Sequence, residues 1–162
     1  MKKIKDLVLF ASVAAIYIVL TLVLGSLSYG PIQFRIAEAL VLLCFYNKKY
    51  FLPLTLGCFI SNLTSPFGIY DIIFGTTATV LSLFFISKSK NIVIASFYPV
   101  LFNGLIVSAE ISIMNGVLDW NVFIFNFATI ALGEFVCVTI IGVILFSLLV
   151  KNKEVMKLLI DN

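Results

Sequence analysis

Long apolar runs alternate along the chain with short polar breaks. Six runs can be delimited: residues 7–24, 32–46, 50–63, 71–87, 92–114 and 122–150. A helix needs about 20 largely apolar residues to cross a bilayer, fewer when it is set into a bundle. The pattern therefore predicts an all-α membrane protein. Six transmembrane helices with brief connections form one domain over residues 1–162, with no soluble domain or long linker. The second and third runs are short, and Pro53 lies in the first turn of the third, where proline is tolerated. The sixth is longer than a bilayer requires, so it tilts or its end stands above the membrane. The breaks at 25–31 and 64–70 are rich in Gly, Pro and aromatic residues. Irregular backbone at membrane depth survives where it lines a cavity, so these two loops are expected to fold over a pocket. No internal repeat is visible, which argues against an inverted-repeat carrier.

Composition strengthens this reading. Apolar side chains make up 62% of the 162 residues, and the mean hydropathy is +1.16. Ten of the eleven cations are lysines in four clusters: Lys2, Lys3 and Lys5; Lys48 and Lys49; Lys88 and Lys90; Lys151, Lys153 and Lys157. With six spans, all four clusters fall on one side. The positive-inside bias makes that side, and both termini, cytoplasmic. The net charge of +3 is then an orientation signal, not a nucleic-acid patch. The first run is too long for a signal-peptide core and has no small-residue cleavage site, so no cleavage is expected. Cys44, Cys58 and Cys137 are isolated and read as small apolar packers.

The remaining cation, Arg35, falls on the other side with most of the acids. Ionisable residues within membrane segments are costly, and a functional role is the default reading. Here they are Arg35, Glu38, Asp71, Glu110 and Glu134, all in the outer half or near the midplane, with none in the inner half. A pathway through the protein would need polar stations on both sides; this pattern fits one pocket open to the outside. Each residue also has a plainer explanation. Arg35 and Glu38, spaced i, i+3, can pair with each other. Asp71 can cap the fourth helix, and Glu110 can snorkel to the headgroups. Glu134 is too deep to snorkel cheaply. Asn62, Asn103 and Asn126 are interhelical glue or orient a ligand.

Four acids facing one arginine favour a ligand that is cationic or rich in N–H donors; an anionic ligand such as folate would not balance them. Tyr29, Phe34, Phe67 and Tyr70 lie in the flanking loops, placed to stack on a planar ring or to anchor at the interface. In the first run Ala11 and Ala15, with Ala14 beside them, form a small-x-x-x-small pair that lets another helix approach closely. The chain has no phosphate-binding G-x-x-x-x-G-K-[ST] loop and no histidine, which removes ATP hydrolysis of that kind, the zinc-protease motif and Ser–His dyads. Asp71 is the only aspartate near the membrane core, so an aspartyl enzyme is not supported. Neither a cofactor nor a metal is expected.

Residues 29–40, Tyr29-Gly30-Pro31-Ile32-Gln33-Phe34-Arg35-Ile36-Ala37-Glu38-Ala39-Leu40, are followed by Gly57-Cys58-Phe59-Ile60-Ser61-Asn62-Leu63. Then come Ser65-Pro66-Phe67-Gly68 and Asp71-Ile72-Ile73-Phe74-Gly75-Thr76-Thr77-Ala78-Thr79. Together these stretches resemble the QueT family, the substrate-binding (S) components of energy-coupling factor (ECF) transporters. The likeness is strongest over residues 28–80. It implies an S-component-like bundle in the bacterial plasma membrane that takes up a queuosine precursor, a 7-deazaguanine such as preQ1 or queuine. It also implies a transmembrane coupling subunit and two cytoplasmic ATPases as partners, with Ala11 and Ala15 as the docking motif for the coupling subunit. The expected ligand contacts are Arg35, Glu38, Asn62, Asp71, Glu110 and Glu134, with Tyr29, Phe67 and Asn126 around them. Two other readings stay open: an S component for another cationic aromatic vitamin such as thiamine, and a small standalone secondary carrier.

Overall fold

The computed structural model describes residues 2–30, 32–116 and 119–160. Pro31 of the loop motif lies outside the described residues, as do the side chains of Lys2 and Lys3. Every regular element among the described residues is helical: α1 (Lys2–Val23), α2 (Gly25–Ser28), a 3₁₀ segment (Ile36–Leu42) running into α3 (Leu43–Tyr46), and a 3₁₀ turn (Lys48–Tyr50). These are followed by α4 (Phe51–Asn62), α5 (Ile69–Ile86), α6 (Ile92–Met114), α7 (Trp120–Glu134), a π-helical segment (Phe135–Gly142), α8 (Val143–Leu149) and α9 (Lys153–Ile160).

Four of the predicted runs form helices long and apolar enough to cross a membrane: Ile4–Val23, Ile69–Ile86, Ile92–Met114 and the continuous stretch Trp120–Leu149. The second and third runs form shorter helices. At about 2.0 Å per 3₁₀ residue and 1.5 Å per α residue, Ile36–Tyr46 is about 20 Å long and Phe51–Asn62 about 18 Å. Both fall short of the roughly 30 Å hydrocarbon layer.

Small residues set the close approaches. A Cβ on Gly57 would meet Tyr17 Cβ at 3.1 Å and the Ala14 carbonyl at 3.3 Å, so α4 lies tightly on α1. Gly142 does the same for the π segment, 3.1 Å from Leu42 and 3.5 Å from Ala39. The 3₁₀ segment is thereby pressed into the middle of the bundle, and Ala37, Ala39, Val41 and Leu42 are buried. A loop folds down on α7 at Gly133, where an added Cβ would overlap the Ile32 carbonyl oxygen and lie 3.2 Å from that of Gln33. Gln33 itself adopts φ 49°, a left-handed conformation uncommon for a residue with a side chain.

The lysine-bearing turns gather at one end of the bundle. Tyr50 donates its hydroxyl to the Leu159 carbonyl of α9 at 3.1 Å and packs on Phe10 near the start of α1. The Cys44 thiol reaches the Leu83 carbonyl near the end of α5. The polar residues of the membrane core collect at the other end.

Candidate functional site

Six elements contribute side chains to one buried cluster. The 3₁₀ segment presents Glu38, with Arg35 immediately before it; α1 presents Tyr17, α4 Cys58 and Asn62, α5 Asp71 and Thr79, α6 Asn103 and Glu110, and α7 Glu134. Glu38, Asp71, Glu110 and Glu134 are each 2% exposed or less, and Arg35 is 5% exposed. The structure thus assembles five ionisable residues that lie up to 99 positions apart in the chain (35 to 134).

Burial of this kind requires partners, and several of the polar atoms find them. Tyr17 donates its hydroxyl to Glu38 Oε1, which also accepts from Thr79 Oγ1 at 3.3 Å. Arg35 Nη1 stands 4.0 Å from the same oxygen, and its guanidinium lies over the Tyr29 ring, 5.4 Å from the centroid. Asn103 Nδ2 donates to Glu134 Oε1 at 2.9 Å. Ser65 donates to Asp71 Oδ2, and the Glu110 carboxyl lies beside that of Asp71. Asn62 Nδ2 donates to the Asp71 carbonyl at 2.9 Å.

Six others lack partners. Among the described residues, eight buried side-chain atoms have no hydrogen-bond partner, and six of them are here: Glu38 Oε2, Glu110 Oε2, Glu134 Oε2, Asn62 Oδ1, Arg35 Nε and Arg35 Nη2. Each such atom costs about 1–3 kcal/mol, more when charged. Their concentration at one place leaves an unmet pattern of four acceptors against two donors from one guanidinium. A bound molecule that satisfies it offers several N–H groups or a positive charge, together with one acceptor for Arg35.

A cavity of about 260 Å³ adjoins the cluster, lined by Tyr29, Gly30, Gln33, Phe67, Ile111, Met114, Asn115 and Asn126. Its wall is tied to the acids at three points. Tyr29 carries Arg35 on its ring. The Phe67 N–H donates to Ser65 Oγ at 3.1 Å, and Ile111 follows Glu110 in α6. Tyr29 is fixed in turn, donating its hydroxyl to the Ser61 carbonyl at 2.7 Å. A larger groove of about 350 Å³ between α6 and α7 is almost wholly apolar. Its one carboxylate, Asp119, is spent capping α7 through the Asn121 N–H at 2.7 Å. That groove has little with which to recognise a polar ligand.

The plainer readings of the acids can now be judged one by one. Arg35 and Glu38 approach each other only at the 4.0 Å limit, and Tyr17 is the nearer partner of Glu38. Gly68, not Asp71, occupies the N-cap of α5. Glu110 does not snorkel, since it is only 1% exposed. Of the loop aromatics, Tyr29 and Phe67 line the cavity. Phe34 packs on the apolar core, and Tyr70 is 38% exposed. Asn126 is half-buried in the cavity wall. The alanines of α1 separate: Ala14 faces α4, whereas Ala11 and Ala15 are exposed on the outer face of the bundle.

Tyr17, Ser65 and Thr79 were not expected from the sequence. Tyr17 and Thr79 are lone hydroxyls in apolar runs and Ser65 is one of several loop hydroxyls, and none carries a distinguishing signal, because such groups commonly bond to nearby backbone. Cys58, expected as a plain packer, lies in the polar wall with its sulfur 3.2 Å from Thr79 Oγ1 and 3.5 Å from Asn62 Nδ2. Tyr17 holds one Glu38 oxygen so that the other stays available. Tyr17→Phe removes that restraint and is expected to weaken ligand binding about tenfold, the value of one hydrogen bond to a charged group. Titration of the variant, with its melting temperature measured alongside, checks this.

The family model described as QueT transporter matches residues 7–151. The queuosine precursor transporter QueT of Lactococcus lactis subsp. cremoris (strain MG1363) is 48% identical over 87 residues. That match covers 51% of this chain and 51% of the relative, so the aligned region spans about half the length of each. No solved structure matches.

Proposed function

The chain belongs to the QueT transporter family, and we propose that it is the substrate-binding component of an energy-coupling factor importer for a 7-deazaguanine queuosine precursor. One observation carries the reading: the unpartnered acceptors and donors buried at the polar end of the bundle. A guanine-like edge presents N1–H and a 2-amino group side by side, a two-point match for a carboxylate such as Glu38 or Glu134. Its ring carbonyl accepts from Arg35 Nε or Nη2. Phe67 and Tyr29 supply apolar walls for a planar ring. A hydroxyl-rich or anionic ligand would leave the four acids unbalanced.

The membrane arrangement follows from the same reading. The four long helices and the two short ones make six spans with both termini cytoplasmic. The lysine-bearing turns lie inside under the positive-inside rule, and the pocket opens outward. Ala11 and Ala15 present a small-residue face on α1 that suits close packing of a helix from the coupling subunit. Energy comes from two ATPases bound to that subunit, since this chain has no ATP-binding loop of its own.

The test is uptake of labelled preQ1 into cells expressing the chain with and without the coupling subunit and ATPases. The proposal predicts uptake only with the complete set. Uptake by the chain alone, driven by an ion gradient, contradicts it and favours a secondary carrier. Displacement of preQ1 by thiamine would reassign the ligand. Ala11→Trp is expected to abolish assembly with the coupling subunit and transport, while ligand affinity stays within about twofold, because surface changes away from the site are usually small. Co-purification and titration check the two halves separately. Loss of both would show misfolding, not lost docking.

A further inference from the structure

The four acids are not equivalent, and their surroundings divide them into two pairs. Glu38 and Glu134 are met by donors: Tyr17, Thr79 and Arg35 on the first, Asn103 on the second. Asp71 and Glu110 stand beside each other. Two adjacent buried carboxyls repel unless a proton or another cation lies between them. Among the described residues, the one side-chain donor to this pair is the Ser65 hydroxyl.

Two further observations point to a ligand there. Glu110 Oε2 is buried without a partner, and so is the neutral Asn62 Oδ1, on a side chain whose Nδ2 is anchored to the Asp71 backbone. Gly75 lets α5 approach Asn62 closely, since a Cβ there would stand 3.0 Å from Asn62 Nδ2 and 3.6 Å from Asp71 Oδ1. Every unfilled group at this spot is an acceptor, so an uncharged edge with its own acceptors is poorly matched. A compact ammonium, with three donors and a positive charge, fits.

We propose that Asp71 and Glu110, with Asn62 Oδ1, form the subsite for a primary ammonium group on the ligand, leaving Glu38, Glu134 and Arg35 for the planar ring. The assignment rests on the deazaguanine reading above. Arg35 reinforces it, because its guanidinium stands on Glu38 and disfavours a second cation at that end.

The purified full chain is titrated with two ligands of the same ring system: 7-aminomethyl-7-deazaguanine, which carries the ammonium, and 7-cyano-7-deazaguanine, which does not. Wild type, Glu110→Gln and Asp71→Asn are compared. The expected result is that each variant lowers the ratio of amine to nitrile affinity about tenfold or more, the scale of a lost charged hydrogen bond. A ratio unchanged in both variants overturns the subsite. So does a wild type that prefers the nitrile. A wild type that binds neither compound overturns the deazaguanine reading itself, and the subsite with it. Using two variants guards against one that does not fold.

Discussion

Glu38→Gln and Glu134→Gln are each expected to lower ligand affinity about 100-fold or more while leaving the protein as stable as wild type or more stable. Both substitutions keep the shape and the existing partners. An amide oxygen in place of Glu38 Oε1 still accepts from Tyr17 and Thr79, and one in place of Glu134 Oε1 still accepts from Asn103. What disappears is the charge and the free acceptor at Oε2. Removing one member of a buried charged pair costs about 3–5 kcal/mol, which is roughly two to four orders of magnitude in affinity. Without ligand the balance reverses, because a buried carboxylate with an unmet oxygen is itself a cost. A site that is strained while empty and satisfied when filled produces that opposition. Titration together with thermal unfolding reads both quantities. A fall in both would mean that the two glutamates hold the bundle together and do not hold a ligand.

Gly133→Ala is expected to reduce affinity about ten- to 100-fold through the loop that covers the site. The added Cβ would overlap the Ile32 carbonyl oxygen and crowd that of Gln33 at 3.2 Å. Backbone cannot move aside as a flexible side chain does, so the 29–35 loop must lift from α7. Overpacking of this kind costs about 1–3 kcal/mol. The cost falls where it matters for binding, since the same loop carries Tyr29 and Arg35 and Glu134 is the next residue on α7. Gly25→Ala serves as the control, because nothing lies within 4 Å of a Cβ there and its affinity should match wild type. Equal affinity in Gly133→Ala and wild type would show that the loop's seat on α7 is irrelevant to binding.

The parts of this protein legible in its sequence are those marked by cost. A charge in an apolar run is expensive, so Arg35, Glu38, Asp71, Glu110 and Glu134 stood out, and the structure brings all five together. The loops over the pocket were marked by Gly, Pro and aromatic residues, and Tyr29 and Phe67 do line the cavity. Two kinds of feature left no mark. Hydroxyls such as Tyr17, Ser65 and Thr79 are ordinary residues whose role exists only through a neighbour supplied by another helix. The 3₁₀ geometry of Ile36–Leu42 and the π geometry of Phe135–Gly142 were equally hidden, because a run that is apolar on every side has no periodicity to read. Both irregular segments adjoin the site. The 3₁₀ segment carries Glu38, and the π segment begins directly after Glu134, in keeping with the frequent placement of such distortions at functional positions.

The most direct measurement is calorimetric titration of the purified chain in detergent with preQ1 and queuine, with guanine and thiamine as comparators. Saturable binding of a deazaguanine at one site per chain, unmatched by guanine or thiamine, is the predicted result. Absence of deazaguanine binding by a well-folded sample, or preference for thiamine, would contradict the account of the site as a deazaguanine pocket.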